Sequence, residues 1–71
     1  MAAGRVKWFD ATKGYGFIER QGGPDIFVHL KIVEAAGLKS LPEGAAVEFE
    51  VREGEKGPEA TKLALVSSPQ R

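Results

Sequence analysis

The chain has no cysteine, a single histidine and no long apolar run among its 71 residues. Without cysteine, neither a disulfide nor a cysteine-ligated zinc ion can stabilise the fold, and His29 alone cannot form a cluster of histidine ligands. No segment approaches the roughly 20 apolar residues of a membrane-spanning helix, and the N-terminus lacks the apolar segment of a signal peptide. We therefore expect a cytoplasmic protein with no metal, no other cofactor and no membrane partner, folded by packing alone.

Catalytic groups are equally scarce. The sequence contains no nucleophile elbow and no Walker-type phosphate loop. Asp25 and His29 would share one face of a strand, but four residues along a strand separate them by about 13 Å, too far for a catalytic pair. We expect no enzymatic activity and no small-molecule substrate.

The charges balance over the whole chain but not along it. Residues 1–39 carry six basic and four acidic residues, and residues 40–71 carry four basic and six acidic ones. The zero net charge excludes a histone-like basic protein, while the asymmetry is a weak indication of a positive patch in the N-terminal half.

Glycine and proline divide the chain into five segments rich in β-branched and aromatic residues. The predicted strands are residues 4–10, 15–20, 25–30, 45–53 and 58–66. Short turns at "DATKG" and "QGGP" join the first three, which predicts an antiparallel meander. Between the third and fourth strands we expect at most one helical turn, near Ile32–Ala35, because Gly37 and Pro42 interrupt the helical pattern. Residues 67–71 are expected to form a polar C-terminal tail.

Five short strands in so small a chain favour a barrel. A flat sheet would expose one whole face and two unpaired edges. Closing the sheet into a barrel buries that face and pairs the edges. The long connection between the third and fourth strands is typical of the oligonucleotide/oligosaccharide-binding (OB) fold, so we predict an all-β, five-stranded antiparallel OB-fold barrel. From the pattern alone, an SH3-like barrel is the alternative.

Aliphatic and aromatic side chains fall on opposite faces of these strands. Phe27 alternates with Ile26 and Val28. If the rings faced the interior, His29 would be buried with them and the aliphatic side chains would face water. We therefore predict an aliphatic interior, whose expected members are Val6, Ile18, Ile26, Val28, Ile32, Leu41, Val47, Phe49, Val51, Leu63 and Leu65.

The remaining rings would then form an exposed patch on the outer face. Its expected members are Trp8, Tyr15, Phe17, Phe27 and His29. An apolar patch of this size usually marks a binding surface. Rings stack on unpaired bases at about 1–3 kcal/mol per base, and Lys7 and Lys13 would lie near phosphates. The pattern thus favours single-stranded nucleic acid as the ligand; a protein-interaction module using the same patch is the alternative.

Three motifs, "KWFD", "KGYGFI" and "DIFVHL", resemble the bacterial cold-shock proteins, with the last two similar to the family's ribonucleoprotein-type motifs. The resemblance extends from Gly4 to Leu65 and includes "LPEG" and "KGPEA". It implies a cold-shock domain over residues 1–66. It also implies binding of single-stranded RNA and DNA with low sequence selectivity, RNA-chaperone activity and regulation of transcription or translation. The binding positions implied by motif match are Lys7, Trp8, Phe9, Lys13, Tyr15, Phe17, Phe27, His29 and Leu30, with Lys56 and Pro58 as peripheral contacts.

The chain departs from the family pattern at several positions. Leu30 and Leu38 stand where the family commonly has aromatic residues, Asp10 stands where asparagine is usual, and Tyr15 replaces a frequent phenylalanine. Each missing ring would cost about 1–3 kcal/mol if it contacted a base. We therefore expect weaker binding or a shorter binding site than in a relative that has every ring. Separately, a monomer is the simplest expectation for the oligomeric state.

Overall fold

The computed structural model describes residues 2–55 and 57–67. Its elements are β1 (Ala2–Asp10), β2 (Tyr15–Glu19), β3 (Ile26–His29), α1 (Leu30–Ala35), β4 (Ala46–Gly54) and β5 (Gly57–Ser67). No helix among these residues has the length and apolar character needed to cross a membrane.

The five strands form a closed barrel in the order β1-β2-β3-β5-β4, with β4 pairing back onto β1. The predicted fold class is therefore confirmed, as is the antiparallel meander of β1, β2 and β3. One pairing is parallel, that of β3 with β5, where Phe27 lies opposite Glu59. Parallel neighbours need a long connection, and α1 and β4 supply it here.

The interior of the barrel is aliphatic, as the alternation predicts. The buried hydrophobic residues are Val6, Ile18, Ile26, Val28, Val33, Leu41, Ala45, Val47, Phe49, Ala60 and Leu63. Val33, Ala45 and Ala60 were not predicted as core. In contrast, Ile32, Val51 and Leu65 are only half-buried against it.

The helix α1 is longer than predicted and begins at Leu30, so Leu30 does not continue the face that Ile26 and Val28 share on β3. His29 caps it, with the side chain accepting a hydrogen bond from the Lys31 N–H. The helix ends at Ala35, and Gly37, just after the C-cap residue Ala36, has a φ of 84° that glycine readily adopts. Within this span Val33 is completely buried, whereas Ile32 packs against the core half-buried.

A β-bulge in β1 decides which of two adjacent rings faces outward. Val6 lies opposite Ile18, but Trp8 lies opposite Phe17, so Lys7 is an extra residue in the ladder. Without it, alternation would turn Trp8 to the same inner side as Val6. With it, Trp8 lies on the outer face, and Phe9 is half-buried against the core.

The last strand extends into the predicted tail. Ser67 pairs with Ala46 across the β4–β5 hairpin and is the last residue of β5. Residues 68–71, the remainder of that tail, lie outside the described residues.

Candidate nucleic-acid interface

Five rings from β1, β2 and β3 form one continuous cluster on the outside of the barrel, here called the aromatic patch: Trp8, Tyr15, Phe17, Phe27 and His29. The Trp8 ring lies 5.6 Å from Tyr15 and 5.5 Å from Phe17, measured between ring centroids. The Phe27 ring lies 5.8 Å from Tyr15, 5.7 Å from Phe17 and 6.5 Å from His29. Rings at these separations attract one another, so the patch holds its own members in place.

The patch is separate from the hydrophobic core. On the inner side of β2 and β3, Ile18, Ile26 and Val28 are completely buried. On the outer side the other four aromatic residues of the patch are half-buried, because they pack against each other, and His29 is exposed. The rings therefore keep surface on which a planar ligand can stack.

The turn between β1 and β2 is held by Asp10. Its Oδ1 accepts hydrogen bonds from the N–H groups of Thr12 at 2.9 Å and Lys13 at 3.1 Å. This turn places exposed Lys13 two residues before Tyr15. An asparagine oxygen would accept the same two bonds, so aspartate at this position preserves the turn.

Lys7 lies beside the patch but is already paired. Its Nζ donates a hydrogen bond of 2.9 Å to Asp25 Oδ2, and both side chains are partly exposed. That hydrogen bond, and the negative charge of Asp25, raise the pKa of Lys7 above its ordinary value of 10.5. Lys7 is therefore charged at neutral pH, but a phosphate must compete with Asp25 for it. Because 18 positions separate the two residues in sequence, no local pattern indicated this pair.

Three of the other residues implied by the resemblance are described but are not members of the aromatic patch. Phe9 lies opposite Gly16 and packs on the core, and Leu30 packs against the core at the start of α1. Pro58 is half-buried in β5 opposite Glu53. Lys56 lies outside the described residues. Contact of these residues with nucleic acid stays a prediction.

Two residues that sequence reasoning did not select adjoin the patch. Arg52 and Glu59 line the same two clefts as Phe27 and His29. They form an ion pair, with Arg52 Nη2 and Glu59 Oε1 3.1 Å apart. Only the pairing of β5 between β3 and β4 reveals this proximity, and that pairing is not readable from the local sequence.

Neither the histidine nor the acidic residues assemble a metal centre in the described part of the chain. No group of three or more histidine, cysteine, aspartate or glutamate side chains lies close enough to hold an ion there.

Comparison with known proteins gives a consistent result. The family model of the 'Cold-shock' DNA-binding domain matches residues 2–66. The Cold shock-like protein CspLB of Listeria monocytogenes is 54% identical over 63 residues, which cover 89% of this chain and 96% of that protein. A Cold shock-like protein of Thermotoga maritima is also 54% identical, with the same coverage. The Cold shock protein CspA of Staphylococcus aureus is 56% identical over 63 residues, again covering 89% of this chain and 96% of that protein.

Proposed function

The chain belongs to the family of the 'Cold-shock' DNA-binding domain, and on this premise we propose that it binds single-stranded RNA and single-stranded DNA with low sequence selectivity. Cold shock proteins are nucleic-acid-binding proteins rather than enzymes. The proposal extends to a monomer that acts in the cytoplasm and takes no small-molecule substrate.

The observation that supports the proposal most directly is the aromatic patch. Its rings form a connected surface with centroid spacings of 5.5–6.5 Å. Base stacking on such rings contributes about 1–3 kcal/mol per base and tolerates any base, since each has a π-face. A duplex keeps its bases stacked on one another, so the same patch would disfavour double strands. Lys7 and Lys13 flank the patch and would meet the phosphates.

An RNA-chaperone and regulatory role follows from this selectivity for unpaired bases. A protein that binds only the open form of an RNA at 100 times its Kd stabilises that form by about 2.7 kcal/mol. One stacked base-pair step averages about 1.4 kcal/mol. Each bound molecule would therefore offset about two steps, which is enough to open weak hairpins and alter transcription or translation without melting long duplexes.

Fluorescence of Trp8, the single tryptophan, tests the proposal. We expect quenching by a pyrimidine-rich single strand, because a base stacks on or beside the indole, and much weaker quenching by the matching duplex. An unchanged signal at tens of micromolar oligonucleotide would refute the proposal.

Salt separates this function from that of a protein-interaction module. For single strands, log K should fall with log salt by about 0.7 for each phosphate neutralised. An apolar contact with a protein partner would change little with salt. A salt-independent affinity would therefore favour the module over the nucleic-acid binder.

A further inference from the structure

One row of paired residues crosses all five strands on the outside of the barrel. In strand order β1-β2-β3-β5-β4 its members are Trp8, Phe17, Phe27, Glu59 and Arg52. Paired residues on neighbouring strands point to the same face of a sheet. The row therefore begins with three rings of the aromatic patch and ends with a carboxylate and a guanidinium.

The charged end of the row is an ion pair at the surface. Arg52 Nη2 donates to Glu59 Oε1 at 3.1 Å, with the Glu59 side chain 32% exposed and the Arg52 side chain 70% exposed. Beneath that carboxylate lies Gly54, where a Cβ atom would approach the carboxyl carbon and Oε1 to 3.0 Å. The missing side chain of Gly54 leaves room for Glu59 in this position. Buried Ala60 fixes the face, since its neighbour Glu59 must then point outward.

The pair presents a defined set of hydrogen-bonding groups to a base stacked on Phe27. The carboxylate of Glu59 only accepts, and the guanidinium of Arg52 only donates. Single-stranded bases expose their Watson–Crick edges to such groups. The guanine edge offers one acceptor, O6, followed by two donors, N1–H and the N2 amino group. Arg52 matches the acceptor, and the two oxygens of Glu59 match the two donors.

The other bases match this pair less well. Adenine offers one amino donor beside one ring-nitrogen acceptor, and cytosine offers the same two groups followed by the O2 acceptor. Each base therefore has a single donor group, and one carboxylate oxygen would go unused. Uracil and thymine place a carbonyl on both sides of their single N–H, so the second carboxylate oxygen would face a carbonyl oxygen. Unpaired acceptors that face each other are costly, and these bases are therefore the poorest match.

We propose that the Arg52–Glu59 pair reads the edge of the base stacked on Phe27 and prefers guanine at that one position. This inference rests on the proposed single-strand binding and leaves the other positions of the site unselective.

The test places one guanine in turn at each position of a thymine heptamer and measures Kd by Trp8 fluorescence. We expect one position to bind about tenfold tighter than the all-thymine strand, as is typical of a bidentate base contact. Inosine, which lacks only the N2 amino group, should lose part of the gain. Glu59→Gln should abolish the guanine preference, so that no guanine-containing strand binds tighter than the all-thymine strand. Glu48→Gln is the control: it removes an equal charge from β4, at a position opposite Ala64, and should preserve the guanine preference.

Three results would overturn the inference. One is equal affinity for guanine and thymine at every position. Another is equal affinity for guanine and inosine, since the second oxygen of Glu59 would then make no contact with the N2 amino group. The last is a preference that survives in Glu59→Gln. If no strand binds at all, the proposed function itself fails, whereas uniform binding of all strands removes only the guanine preference.

Discussion

Lys7 illustrates how a single contact can adjust binding, because its charge is shared with Asp25 at 2.9 Å. Asp25→Asn should release the ammonium for phosphate. We expect tighter binding of a single strand, and a slope of log K against log salt steeper by up to about 0.7. An affinity and slope equal to those of the wild type would show that Lys7 does not meet a phosphate. Glu48→Gln changes the net charge equally away from the patch and serves as the control.

The Lys7–Asp25 pair also has a defined pH dependence. Because the folded protein raises the pKa of Lys7 above 10.5, any stability from the pair is fully present below that value and is lost as pH rises through the raised pKa. Near neutral pH, titration of Lys7 should therefore leave the stability of the fold unchanged.

Substitution of Phe27 on the outer face and of Phe49 in the core should distinguish effects on binding from effects on stability. Phe27→Ala should weaken single-strand binding by about 1–3 kcal/mol, or 5- to 150-fold, because a stacking ring is lost. The lost contacts with neighbouring rings should cost about 1–2 kcal/mol of stability, which a domain of this length can tolerate at roughly 4–10 kcal/mol in total.

Phe49 is completely buried in the barrel, so Phe49→Ala should instead cost about 3–5 kcal/mol of unfolding free energy. Denaturant unfolding and oligonucleotide titration of both variants check this contrast. If Phe27→Ala unfolded the domain while Phe49→Ala left stability unchanged, the assignment of inner and outer faces would be inverted.

At the scale of the elements, β1 and β2 approach each other closely at Gly16. A Cβ there would lie 2.6 Å from the Phe9 Cα and closer still to the carbonyl oxygen of Trp8. Since backbone atoms cannot yield as a flexible side chain does, Gly16→Ala should separate the strands and cost about 1–3 kcal/mol.

Gly54→Ala is the matched control for stability, because its neighbour is the mobile end of Glu59. Thermal unfolding should show a clearly larger loss for Gly16→Ala than for Gly54→Ala. Equal losses would contradict a steric origin.

The elements also show which parts of the structure the sequence could predict. Strict alternation in β4 and the opposing faces of Ile26 and Phe27 predicted the strands, the aliphatic interior and the outward rings, because burial acts locally on a period of two. The bulge at Lys7 was not predictable, since one extra residue leaves no mark on composition. The parallel β3–β5 pairing was not predictable either, because it depends on how the whole chain closes into a barrel. The proximity of Arg52 to the patch follows from that pairing.

Across the whole molecule, each strand serves two purposes through its two faces. The inner face supplies a core with no buried charged or polar residue among those described. The outer face supplies rings and charges that the core does not require. With zero net charge over the chain, long-range attraction to a polyanion is weak. Affinity must therefore arise locally, from the patch and the few cations beside it.

Binding at this patch should raise the stability of the whole barrel, because only the folded chain assembles rings from three strands. At 100 times Kd, a single strand adds about 2.7 kcal/mol, and 1 kcal/mol shifts Tm by about 4–8 °C in a domain of this size. We expect Tm to rise by roughly 10–20 °C with single-stranded oligonucleotide and far less with duplex, measured by circular dichroism. In Phe17→Ala/Phe27→Ala the starting Tm should be lower and the rise at the same concentration nearly absent. An equal rise in that variant would mean that the ligand stabilises the barrel from another surface.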